Sequence, residues 1–281
     1  MSNKIKSFKA FDLDLKCRGF QFEVGKEYSQ KGGISTCNNG FHACQNPFDV
    51  LDFYPLVNSR FCEVEQSGEI DKEDKKVASE KITIKAEINL GGFIKACFEY
   101  INLSEDLKVD NKLNNQAASG NYSKLAASGN YSKLAASGYN SQLAASGEDS
   151  QLAASGYNSK LAASGEDSQL AASGNYSKLA ASGNYSKLAA SGYNSQLAAS
   201  GNYSKLAASG YNSKLAASGE DSVIVSSGIN SKAKGCKGTL ICLTHFVDRK
   251  PVKFTTGKVG EDGLKEDVFY KLDENGEFVE Y

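Results

Sequence analysis

Histidine occurs only at His42 and His245, and no glycine-rich loop of the phosphate-cradling kind follows a strand. An acid–base enzyme or a nucleotide-binding one therefore has little to work with. No apolar run approaches membrane-spanning length, and the opening Met1-Ser2-Asn3-Lys4-Ile5-Lys6-Ser7-Phe8-Lys9 has no apolar signal core, so the expectation is a cytoplasmic protein. Charge of one sign is missing too. A formal net charge of −1 with 10% aromatic residues offers no bulk attraction for nucleic acid or for a membrane. The cysteines number seven, an odd count, and several sit in strand-like contexts such as Phe61-Cys62-Glu63-Val64 and Leu240-Ile241-Cys242-Leu243. Reduced core thiols are expected rather than disulfides.

What the chain does have is repetition. From residue 117 to 233 the phrase Ala-Ala-Ser-Gly-x-x-Ser-x-Leu recurs with glycine at every ninth position from Gly120 to Gly228. A unit this short cannot bury its own apolar face and must stack on the next, which predicts a solenoid. Alternation in Ser123-Lys124-Leu125-Ala126-Ala127-Ser128 puts Ser123, Leu125 and Ala127 inside and Lys124, Ala126 and Ser128 outside. The Gly-Asn-Tyr segment that follows reads as a turn, with glycine supplying positive φ and asparagine tolerating it. A Ser-Gly pair every nine residues would break a helix.

Two phrases close the simplest coil, a flattened two-sided turn of about 18 residues with coils about 4.8 Å apart. That spacing puts the acidic corners Glu148-Asp149, Glu166-Asp167 and Glu220-Asp221 on one edge. Buried serines would then bond from coil to coil. The predicted fold is mainly β: a parallel β-solenoid over 111–233, a small α+β domain over 1–110 and a small β cap over 234–281.

The nonapeptide period is similar to that of the calcium-binding β-rolls of secreted toxins, and Ser-x-Leu-Ala-Ala-Ser-Gly resembles head repeats of trimeric autotransporter adhesins. The toxin repeat needs an aspartate in every unit, whereas here aspartate enters three corners. The adhesin repeat is longer and comes with an export signal and a membrane anchor. Shared solenoid physics is the reading drawn from both.

In the first hundred residues, Phe20–Val24, Phe61–Glu65 and Lys81–Ala86 read as strands, and Pro47–Tyr54 as a helix capped by Asn46. Phe11-Asp12, Cys17-Arg18-Gly19-Phe20, Val24-Gly25-Lys26, Gly40-Phe41-His42-Ala43-Cys44 and Pro47-Phe48-Asp49-Val50-Leu51 together resemble an uncharacterised amino-terminal domain of bacterial and bacteriophage proteins. In that family the domain often precedes a repetitive segment and a short carboxy-terminal unit similar to Thr239–Leu243 through Tyr270–Glu280. The resemblance implies a phage-like setting and no particular chemistry. At the end of the chain, Phe269–Leu272 and Glu277–Tyr281 flank Asp273-Glu274-Asn275-Gly276 as a hairpin.

Three constellations carry possible chemistry. Cys17, Cys37, His42 and Cys44 are zinc-ligand types, though without a paired Cys-x2-Cys knuckle. Gly40-Phe41-His42, the following helix to Tyr54 and Phe61-Cys62-Glu63-Val64 with Gly68 resemble part of the poly-ADP-ribosyl transferase succession, which implies His42 with Glu63 or Glu65 as its working residues. Glu148, Glu166 and Glu220 open the acidic corners, where calcium is the cation to consider. Against these stands a non-enzymatic reading with no cofactor. The corner tyrosines Tyr122, Tyr131, Tyr139, Tyr157, Tyr176, Tyr185, Tyr193, Tyr203 and Tyr211, beside rows of Ala and Ser, have the composition of a protein-binding surface. They suit a binding scaffold or rigid spacer whose partner is a protein, a host protein if the chain is phage-encoded. Equally, a flat Ala-Ser face suits a homodimer.

Overall fold

The computed structural model describes residues 4–36, 38–103 and 115–281, and the chain divides into two compact units, Met1–Tyr100 and Ile101–Tyr281. In the first unit, strand Arg60–Lys72 lies between Ile5–Phe11 and Val77–Ile88, all antiparallel. The far side of Val77–Ile88 pairs with Glu27–Ser29 and Phe41–Ala43. Phe11, Phe22, Cys62, Val64, Ile82 and Ile84 pack the core against this sheet.

Two local expectations need correction. The extended run at Phe20–Val24 shrinks to Phe20–Gln21, which pairs with Lys16–Cys17 around Arg18-Gly19. Both turn residues take left-handed φ, 51° and 80°, as a tight two-residue hairpin loop demands. The helix expected to reach Tyr54 stops at Val50, with Asn46 Oδ1 accepting the Phe48 N–H at 3.1 Å as its cap. Pro55 disfavours helical geometry in the residue before it, and the chain leaves through three-residue turns. A second helix, Leu90–Leu103, was not anticipated. Asn89 caps it by accepting the Gly92 N–H at 2.9 Å, and Phe93, Ile94, Cys97 and Ile101 form its buried stripe.

In the second unit every nonapeptide phrase supplies one four-residue strand, and successive phrases alternate between two nine-stranded sheets in which the phrase strands all pair in parallel. Partners sit eighteen residues apart without slip, Leu134 on Leu152 on Leu170 in the first sheet and Leu143 on Leu161 on Leu179 in the second. The coil is therefore two-sided, about seven turns long and roughly 30 Å from end to end at strand spacing. Leucine and the second alanine of each phrase point inward and are buried along the rod.

Backbone pairing continues through the corners. Asn140 N–H reaches Tyr157 O at 2.9 Å and Asp149 N–H reaches Glu166 O at 3.0 Å. The corner glycine works differently from the turn-forming role read from sequence. None of the repeat glycines takes positive φ; the left-handed residue is the second one after each glycine, as at Asn140 (57°), Asp149 (53°) and Tyr185 (58°). What the glycine provides is room. A Cβ on Gly165 would lie 2.1 Å from Gly147 O in the coil before it.

The serines also differ from expectation. Each buried corner hydroxyl bonds within its own corner, Ser168 Oγ to Gly165 O at 2.7 Å and Ser186 Oγ to Gly183 O at 2.7 Å, so no hydroxyl ladder between coils is needed. Asparagine supplies the link between coils. Asn158 Nδ2 donates to Asn140 Oδ1 at 2.8 Å, and Asn202 Oδ1 accepts the Glu220 N–H at 2.9 Å.

At the carboxy-terminal end the pairing turns antiparallel. Leu240–Val247 adds to the first sheet in parallel, and Lys250–Lys258 then folds back along it. The second sheet ends in the expected hairpin, Tyr270–Leu272 with Phe278–Glu280. An outer strand carrying Lys250, Pro251, Lys253 and Lys258 discourages another chain from adding edge to edge.

Glycine's role in the stack gives a paired expectation. Gly165→Ala, in mid-rod, should cost about 3 kcal/mol or more, because the added methyl has only backbone to push against. Gly120→Ala, in the first coil, meets nothing nearer than Ser123 Oγ at 3.8 Å and should shift stability by less than about 1 kcal/mol. Urea unfolding of both variants checks this, and equal effects would show that close approach between coils is not what the glycine serves. Likewise Ser168→Ala, which strips one corner carbonyl of its partner, should cost about 1 kcal/mol in the same assay.

Candidate functional site

The outward sites of the first sheet form an open face. Ala135, Ala153, Ala171, Ala189 and Ala207 are all exposed, beside exposed rows of serine (Ser137 to Ser209) and of Lys133, Gln151, Gln169, Lys187 and Lys205. The Ala-Ser rows line a shallow furrow of about 980 Å³. The second sheet does not mirror it. There Ala126, Ala144, Ala162 and Ala180 are buried, as are Gln142 and Lys160.

Tyrosines edge this face in columns. Tyr122, Tyr139, Tyr157, Tyr176, Tyr193 and Tyr211 follow the corner after each first-sheet strand, and Tyr131, Tyr185 and Tyr203 share the opposite edge with the acidic corners. Tyr193 stacks on Tyr211 at 5.1 Å and 5°, and Tyr185 on Tyr203 at 5.2 Å and 11°. Stacking stiffens the columns without hiding them, since the nine rings keep 41–68% of their surface exposed.

The acidic corners fall on one edge, as the period required. The first two stack on each other and are flanked by asparagines: Asn130 Oδ1 accepts the Glu148 N–H at 3.1 Å, and Asn184 Nδ2 donates to Glu166 Oε1 at 3.1 Å. Among the described residues, no three His, Cys, Asp or Glu side chains converge as metal ligands, either at Glu148, Glu166 and Glu220 or around His42. Cys37, one of the four zinc-type residues, lies outside the described residues.

The transferase-like residues stand apart. His42 pairs with Ala78 on one side of Val77–Ile88, while Glu63 faces Ala86 and Glu65 faces Thr83 on the other. Those registers separate His42 from Glu63 by roughly 26 Å along the strand and from Glu65 by roughly 17 Å. Each glutamate instead holds a surface lysine at 2.8 Å, Glu63 with Lys6 and Glu65 with Lys4.

Sequence reasoning missed the group at the centre of the first unit. Lys9 is buried, and its Nζ donates to His42 O at 2.9 Å and lies over the rings of Phe11 and Tyr54 at 5.5 and 5.9 Å. Besides burial, Cys17, Cys44 and the Arg18 cation are its main electrostatic neighbours. Burial holds the Lys9 ammonium below its ordinary pKa. Burial and the Lys9 and Lys76 cations do the same to His42. Cys17 Sγ meets Tyr54 Oη at 3.0 Å, and burial together with that contact raises the phenol's pKa. Burial pushes Cys44 and Cys62 up to about 12. A cation already beside both Cys17 and Cys44 opposes a divalent metal there.

Residues 5–96 match the model of a domain of unknown function, DUF7666. The match covers the sheet, the Lys9 cluster and the first half of the second helix, and it ends before the repeats. No curated protein and no solved structure matches the chain.

Lys9→Met should raise the melting temperature at pH 7, because a desolvated cation is removed. Between the depressed folded pKa and the ordinary 10.5 the unfolded chain binds the extra proton. The native protein therefore gains stability as pH rises through that window, and the variant's advantage shrinks there. Thermal melts at pH 7 and pH 10 check both statements. A variant less stable at pH 7 would mean the cation is fully compensated.

Proposed function

We propose that the protein is a non-catalytic scaffold whose open Ala-Ser face, edged by tyrosine columns, receives a protein partner. The observation that carries this reading is the exposure of the tyrosines: nine rings held at corners and presented to solvent, four of them stacked in pairs along the rod. Rigid aromatic rings beside small hydroxylated residues give large contact area at low entropic cost. Repetition about every 4.8 Å multiplies a weak contact along the rod.

On this reading the protein works in the cytoplasm, and the two-ended layout supports a bacterial or bacteriophage origin. The partner is then a host macromolecule such as a defence component. The face engages that partner rather than a second copy, and sedimentation of the purified chain separates the two.

An affinity pull-down from host lysate tests the face, comparing the native chain with Ala153→Glu/Ala171→Glu and with Tyr193→Ser/Tyr211→Ser. All four positions point outward, so the coil survives. A partner lost in both variants, with the rod still folded by circular dichroism, is the expected result. Full retention in both would make the solenoid a spacer and move recognition elsewhere in the chain.

A further inference from the structure

We propose that the edge of the rod carrying the acidic corners is a self-recognition surface, on which a second copy of this chain docks edge to edge with its rod running the opposite way. Six corners stack on this edge, tied in order by backbone bonds: Tyr131 N–H to Glu148 O, Asp149 N–H to Glu166 O, Asp167 N–H to Asn184 O, Tyr185 N–H to Asn202 O and Tyr203 N–H to Glu220 O. Each corner is one of two kinds. An Asn-Tyr corner is followed by lysine, at Lys133, Lys187 and Lys205, whereas a Glu-Asp corner is followed by Gln151, Gln169 or Val223 and never by lysine. Along the rod the corners therefore read plus, minus, minus, plus, plus, minus.

Within a single rod this order is unfavourable. Glu148-Asp149 lies one coil from Glu166-Asp167, and Lys187 pairs in register with Lys205, so like charge sits beside like. Among the described residues no ion pair within the chain joins these lysines to these carboxylates, and all three lysines are exposed. Reversing the order inverts every sign. A twofold axis between the third and fourth corners sets Lys133 against Glu220-Asp221 of the second copy, Glu148-Asp149 against its Lys205 and Glu166-Asp167 against its Lys187, each contact occurring twice by symmetry. The tyrosines follow the same rule. Tyr131, Tyr185 and Tyr203, with 47–68% of their surface exposed, come opposite Asp221, Asp167 and Asp149 and offer them hydroxyl donors. Sliding by one coil sets Lys133 on Lys205, or in the other direction Glu148-Asp149 on Glu220-Asp221, so register is specified as well. Parallel rods would set every corner on its own kind. The opposite edge offers no such match, because its corners carry no carboxylate.

Antiparallel edge contact leaves the Ala-Ser faces of both rods open and pointing the same way, so this inference does not depend on what the face binds. The contact strip is narrow, roughly 24 Å long at coil spacing. Its pairs are solvent-exposed, which makes the association weak and salt-sensitive.

Sedimentation equilibrium of the full chain is the test. A monomer–dimer equilibrium at about 0.05 M salt, weakened about tenfold or more at about 0.5 M, is the expected result. Lys205→Glu and, separately, Glu148→Lys/Asp149→Asn each set like charge against like and should weaken the dimer about tenfold or more; an equimolar mixture of the two, whose heterodimer regains both contacts, should recover it. Asparagine already holds the corresponding left-handed place at Asn140, so the corner keeps its form, and circular dichroism checks the coil. The Ala153→Glu/Ala171→Glu variant, changed only on the face, should dimerise as the native chain does. A native chain still monomeric at about 0.2 mM in low salt overturns the proposal. So does a dimer indifferent to the edge substitutions, or a mixture that fails to recover. A dimer lost only in the face variant also overturns it and seats the second copy on the Ala-Ser face, whereas loss of the lysate partner alone leaves the edge contact standing.

Discussion

The solenoid depends on one close approach. Wherever a corner glycine passes over the glycine eighteen residues earlier, the backbone comes so near the preceding carbonyl that even one methyl would collide with it. That contact fixes the distance between coils at the corners, and the strands between them fall into register without a shift. Leucine stacking then follows as a consequence, because side chains held at strand spacing close over one another. Glycine is usually credited with bending the chain. Here the bend is carried by the residue two places later, and tyrosine, asparagine or aspartate bears the left-handed conformation. Asparagine and aspartate adopt it readily, whereas the tyrosines at that position hold it through the cross-coil backbone bonds on their own amides, such as Tyr185 N–H to Asn202 O at 2.9 Å.

Periodicity made the solenoid readable. A nine-residue phrase with one large apolar residue has one inside and one outside, and pairing the phrases into coils correctly placed all the acidic corners on one edge. The hairpin over 270–280 was equally plain, since its turn residues stand between two alternating runs. Less visible were the glycine's clearance and the asparagine bridges, both set by contacts eighteen residues away, and the serine hydroxyl's turn back on its own corner. A single phrase read in isolation contains no trace of its neighbours above and below.

The first unit was harder for a different reason. Strand Ile5–Phe11 is buried on both sides from Ser7 onward, so the alternation that marks a half-exposed strand is absent, and Lys9 reads as a surface residue. Gly91-Gly92 disguised the start of the second helix, although Asn89 is a sound cap and the apolar spacing after it is helical. His42, Glu63 and Glu65 drew attention through a transferase-like succession of motifs along the chain. Register along Val77–Ile88 separates them, and register between antiparallel strands cannot be counted from a motif.

Unslipping alternation between two sheets also makes the repeat number a matter of parity. Adding two phrases lengthens the rod by one coil and leaves the carboxy-terminal hairpins on the same sides of it. Adding a single phrase sends every later strand to the opposite sheet and turns the cap half a revolution about the rod axis. Odd and even copies of this rod would thus present the same end in opposite directions, so a lineage that gains or loses phrases singly changes its orientation before it materially changes its length.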